Sequence, residues 1–157
     1  MRIPRFVAYL FVMIFSISAQ AKTEKYRCMW KYDPSTSMVV AWNQVSGKSP
    51  ILYLDTIARK DVADFAWNFQ VSKKKRYKRM NNHFVRLHDL KPDKVYYFII
   101  KDSNSESQVM SVRTLPDSKE EQLSIIAGGD SRNHRKYRQN ANLLVSKLRP
   151  HFVLFGG

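Results

Sequence analysis

The sequence predicts an antiparallel β-sandwich followed by the opening strand–helix–strand unit of an α/β domain. Three observations predict it. Short runs that alternate apolar and polar residues recur from Tyr26 to Thr114, separated by breaks rich in Pro, Gly, Asn, Asp and Ser. A polar connector, Asp117 to Gln122, then ends that pattern. Beyond it, an apolar run without alternation, a stretch of helical spacing and a second apolar run follow one another within about thirty residues, the span of a βαβ unit.

The elements are read in order. SMVVAWNQV, Ser37 to Val45, alternates so that Val40 and Trp42 share a face. ILYLDTI follows the turn residues Gly47 and Pro50. FAWNFQV, from Phe65, places Phe65, Trp67, Phe69 and Val71 on one side. HFVRLHDL, KVYYFIIK and SQVMSVRTL complete the set, with polar breaks at Ser72–Asn82, Lys91–Asp93 and Asp102–Ser107. After the connector, LSIIA reads as a strand buried on both faces. In NHRKYRQNANLLVSKLRP, Tyr137, Ala141, Leu144 and Leu148 form one apolar helical face. Ser131 or Asn133 can cap its start, and Pro150 ends it. HFVLF is then a second buried strand.

The first 21 residues are set apart. Arg2 and Arg5 form a basic start, Phe6 to Ile17 is apolar but short for a bilayer span, and Ala19-Gln20-Ala21 offers small residues for cleavage. That layout is a signal peptide and predicts a secreted or periplasmic protein with no transmembrane segment once the signal is removed; a short membrane anchor is the competing reading. The single cysteine, Cys28, excludes an internal disulfide, so the core alone must hold the fold. Removing the two arginines of the leader from the formal +14 leaves +12. Such a chain is drawn to polyanions: anionic membrane, cell-wall polymer, nucleic acid or phosphorylated substrate. No nucleic-acid module with interleaved aromatics is present, so no specific nucleic-acid partner is expected. The densest cluster, SKKKRYKR from Ser72 to Arg79 with its cations at Lys73 to Arg79, reads as a solvated hairpin tip that keeps a sheet edge soluble; a polyanion-binding patch is the alternative.

The stretch LSIIAGGDSRNH places a carboxylate, Asp130, at the exit of a strand, where α/β sheets bind ligands. Asp130 can hold a metal ion there, cap the helix or mark a tight turn; a lone Gly-Asp does not decide between them.

Two resemblances add to this reading. LKPDKVY, Leu90 to Tyr96, resembles the proline–tyrosine corner of fibronectin type III domains, and Trp42 fits their core tryptophan; both residues are expected in the core. The order of parts, carried by MVVAW, LHDLKPDKVYYF and GGDSR, resembles the metallophosphoesterases, nearest the purple acid phosphatase branch and its bacterial calcineurin-like relatives. After the signal peptide at 1–21, the resemblance implies a fibronectin-like sandwich at 22–116 and, at 117–157, the start of an αββα-type catalytic domain, incomplete here. It implies that Asp130 binds one metal of a binuclear centre, iron paired with iron, zinc or manganese, that hydrolyses phosphate monoesters. Arg132 stands where relatives carry glycine or a ligating histidine; it cannot ligate a metal, and is read either as a contact for substrate phosphate or as a solvated arginine. The later Gly-Asn-His and Gly-His-x-His motifs are absent, and His83, His88, His134 and His151 form no ligand pair. No catalytic residue is therefore assigned, and the chain reads as an inactive fragment. The alternative is a secreted binding module that docks on anionic polymers or surfaces.

Overall fold

The computed structural model describes residues 23–129 and 134–156; the segment read as a signal peptide lies outside the described residues. Eight strands build the sandwich: β1 (Thr23–Met29), β2 (Met38–Gln44), β3 (Ile51–Asp55), β4 (Trp67–Gln70), β5 (Lys73–Tyr77), β6 (Met80–Leu87), β7 (Val95–Lys101) and β8 (Met110–Arg113). They form two four-stranded sheets, β1-β2-β6-β5 and β4-β3-β7-β8, and every pairing within them is antiparallel.

The core lies between the sheets. Met38, Val40 and Trp42 from β2 meet Val85 and Leu87 from β6, and face Leu52 and Leu54 of β3 and Tyr96, Phe98 and Ile100 of β7. Alternation along each strand selects these residues, since successive side chains point to opposite faces. Trp42 is fully enclosed, and its indole N–H donates to Gln44 Oε1 at 2.7 Å. The proline–tyrosine corner forms as the sequence predicts. The backbone N–H of Lys91 donates to the Tyr96 hydroxyl at 2.8 Å, so the buried ring keeps a partner for its polar tip. Thr114, also fully buried, locks the same corner: its hydroxyl donates to Lys91 O at 2.6 Å and accepts from the Lys94 N–H at 2.9 Å.

Two readings of the sandwich are corrected. Phe65 does not share a face with Trp67, Phe69 and Val71. A 3-10 turn at Val62–Asp64, capped by Asp61 on the Ala63 N–H, delays the strand to Trp67. Phe65 packs instead with Val62 and Ile99 in a second cluster, Trp67 is 46% exposed, and only Phe69 and Val71 flank the main core. The break at Ser72–Asn82 is also not a loop. Lys73–Tyr77 is the edge strand β5, in register from Lys73↔Phe84 to Tyr77↔Met80, and the tip is confined to Lys78 and Arg79. An edge strand covered on neither face needs only backbone hydrogen bonds, so it carries no apolar signature.

The remainder is β9 (Ile125–Gly129), α1 (Arg135–Leu148) and β10 (Phe152–Gly156). The strands pair parallel, from Ile125↔Phe152 to Gly129↔Gly156. This is the predicted order of elements, but neither strand is buried as expected. Ile125, Val153, Leu154 and Phe155 are exposed, and so are Tyr137, Ala141, Leu144 and Leu148 on the helix. Each strand has one neighbour, and no residue of the helix is buried against them. The helix begins after His134, which makes no side-chain cap; Ser131 and Asn133 lie outside the described residues. It ends as predicted: Arg149 turns left-handed, its N–H returns to Val145 O, and Pro150 follows. An aromatic contact joins this unit to the sandwich, with Trp30 edge-on to Phe152 at 5.2 Å between centroids. No helix among the described residues is long and apolar enough to cross a membrane.

Asp55 ends β3 almost wholly buried, at 3% exposure. Burial alone would push its carboxyl up. The Arg59 guanidinium at 2.9 Å and the N–H groups of Ile57 and Ala66 outweigh that and hold it below the usual carboxylate value.

Two outcomes are expected on denaturation. Trp42→Ala should cost about 3–5 kcal/mol by removing a large core side chain, and Tyr96→Phe about 1 kcal/mol for one corner hydrogen bond, both read from urea melts. Because the Asp55 value is depressed on folding, its contribution is full above the unfolded-state value of about 3.9 and is lost as pH falls through the lower folded value. Asp55→Asn should therefore lower the melting temperature near neutrality and flatten its decline in acid.

Candidate functional site

The exits of β9 and β10 form the candidate site. Strand β9 ends in Gly128-Gly129 and β10 in Gly156, and the parallel register sets Gly129 level with Gly156. The two chains come close there. A Cβ on Gly129 would overlap the Gly156 carbonyl, so the position admits no side chain. Gly128 has open space on its Cβ side. The sequence thus places Asp130 directly after a strand whose last residue is fixed by this contact. Asp130 and Arg132 themselves lie outside the described residues.

The histidines are dispersed. His151 sits at the opposite end of the parallel pair, where its Nδ1 accepts the Ser124 N–H at 2.9 Å and its own N–H donates to Ser124 O at 2.9 Å. That clasp fixes the register at the strand starts and places His151 away from the exits. His134 is exposed at the helix start and stacks edge-on with Tyr137. His88 is exposed at the sandwich corner, near the Tyr32 ring. His83 is buried beside Trp42, in line with Val85 and Leu87; burial, then the nearby Lys74 charge, pull it below its usual value. Among the described residues no three His, Cys, Asp or Glu side chains group to hold a metal ion.

Sequence reading did not single out the second polar cluster, at the far loops. Asp102 accepts from Gln44 Nε2 at 2.6 Å and from the N–H groups of Asn104 and Ser105, and Gly47, at φ 83°, leaves room for that carboxylate. The signal for it was slight: an aspartate in a serine-rich turn. The cluster holds loops together and presents no open set of donors.

The sequence profile described as the purple acid phosphatase N-terminal domain matches residues 23–114. No curated protein matches the chain. Among solved structures, a purple acid phosphatase from yellow lupin (Lupinus luteus) seeds superposes with TM-score 0.53 at 11% identity, over 70% of this chain and 22% of that one. The structure of PhoD superposes with TM-score 0.52 at 16% identity, over 99% of this chain and 29% of that one. The chain thus spans under a third of either structure, and at these identities the likeness is one of fold.

The glycine contact is open to test. Gly129→Ala should separate the strand ends and speed amide exchange across β9 and β10, whereas Gly128→Ala should leave exchange unchanged.

Proposed function

The chain belongs to the purple acid phosphatase N-terminal domain family, and from that premise we propose that it is the amino-terminal part of an exported, metal-dependent phosphoesterase acting on phosphate monoesters. Residues 1–21 direct export, 22–116 form the N-terminal sandwich, and 117–157 open a calcineurin-like phosphoesterase domain. Asp130 supplies a hard oxygen ligand to a binuclear centre of iron with iron, zinc or manganese. Arg132 offers a fork of donors to the substrate phosphate.

The observation that carries this reading is an order of parts. A sandwich matched by the family is followed by two parallel strands that end level with each other, the first leading directly into Asp130. The bare apolar faces of β9, α1 and β10 support it, because further layers of an α/β domain cover such surfaces. The described residues do not fit a two-metal centre by themselves, since no three potential ligands meet. One carboxylate cannot hold two metals, so no hydrolytic step is derived for this chain alone.

Purified residues 22–157 should leave a chromogenic phosphate monoester intact; measurable turnover would contradict the division of labour proposed. The coding frame beyond Gly157 should supply an aspartate at once and an Asn-His pair later, and an immediate stop would remove the phosphoesterase reading. In the longer product, Asp130→Ala should lower bound metal, measured by elemental analysis, with the sandwich still folded.

A further inference from the structure

Charge is sorted between the two sheets of the sandwich. Every charged residue within strands β4, β3, β7 and β8 is paired: Asp55 with Arg59, Lys101 with Glu106 and Arg113 with Asp93. The β1-β2-β6-β5 sheet differs. From Phe65 to His88 the chain holds seven cations and no carboxylate. Six of them, Lys73, Lys74, Lys75, Arg76, Lys78 and Arg79, crowd β5 and its turn; all are exposed, and none forms an ion pair among the described residues. The one acidic residue in this sheet's strands is Glu24, on the opposite edge strand, where it meets Lys25 and the Asn43 amide. Arg27 on β1 lies beside Lys75 and Tyr77 on the same face. Its Nη2 donates to Asn82 at 2.7 Å, and its buried Nε has no hydrogen-bond partner among the described residues.

Charged side chains on an edge strand block its pairing with another strand. Six unpaired cations in seven residues repel one another and add nothing to folding, which points to a partner that neutralises them. Their placement selects its shape. β5 is an edge strand, so its side chains alternate to both sides of a ridge: Lys73, Lys75 and Tyr77 to one, Lys74 and Arg76 to the other. A ridge open on both flanks suits a flat charged surface, whereas a polymer strand is held by a groove. Tyr77, 55% exposed beside the turn, is an amphipathic ring suited to headgroup depth. We infer that the β5–β6 hairpin is an electrostatic docking edge for an anionic lipid surface. The inference stands apart from the phosphoesterase reading.

Co-sedimentation of the full chain with vesicles tests it. Vesicles of phosphatidylcholine with about 30% phosphatidylglycerol should bind the parent chain, and Lys73→Gln/Lys75→Gln/Arg76→Gln/Arg79→Gln should weaken that binding roughly tenfold or more. Pure phosphatidylcholine should not distinguish the two chains, which share the same apolar N-terminus. Raising salt toward 1 M, where the Debye length is about 3 Å, should release the parent. Circular dichroism and thermal melts check that the variant folds; if it does not, Lys74→Gln/Lys78→Gln should show a smaller loss in the same direction. Equal affinity of folded variant and parent for anionic vesicles overturns the inference. So does binding of the parent to polyphosphate in preference to vesicles at equal phosphate concentration, which would make a polymer the partner.

Discussion

The sandwich depends on one buried polar chain of contacts. Trp42 fills the centre of the core and brings an N–H with it. Gln44, two residues on and on the same face, accepts that proton and turns its own amide outward to Ser46 O and Asp102. An unpaired donor in this position would carry the cost of desolvation without return. The indole, the amide and the carboxylate thus connect the middle of one sheet to the loop that closes the other. At the opposite end, Tyr96 and Thr114 do the same for the corner at Lys91. Both ends are closed by side chains whose polar atoms find partners inside the molecule.

What the sequence disclosed follows from how local each signal is. Trp42 and Tyr96 were legible because alternation and the proline corner leave a mark within a few residues. Strand β5 left none: its ladder is made by backbone atoms, and Lys73 to Tyr77 look like a loop to any reading based on apolar spacing. Phe65 was misplaced because the turn ahead of it, Val62–Asp64 capped by Asp61, delays the strand to Trp67, and Asp55, ten residues before Phe65, holds the Ala66 N–H just after it. The runs at β9 and β10 were read as buried because apolar side chains seek cover, yet composition does not state which element provides it. At the candidate site only Gly128, Gly129 and Gly156 have a described geometry, Asp130 and Arg132 being outside the described residues.

The two halves of the molecule present different surfaces. The sandwich hides its apolar residues and shows charge, sorted so that one sheet is nearly balanced and the other strongly basic. The parallel unit shows Leu143, Leu144, Leu148, Leu154 and Phe155 to solvent. Trp30 and Phe152 meet edge-on where it joins the sandwich, and the Trp30 N–H is buried without a hydrogen-bond partner among the described residues. Aromatic edges of this kind orient one body on another without fusing their cores.

The near-contact of Gly129 with Gly156 has a genetic consequence. Glycine is specified by the first two bases of its codon, so every change in either base at position 129 that still encodes a residue forces a side chain into an occupied space. Third-base drift is silent. The neighbouring codon, for Gly128, escapes that constraint and is free to wander toward alanine. Divergence between these adjacent codons should accumulate at unequal rates, although both encode the same residue today.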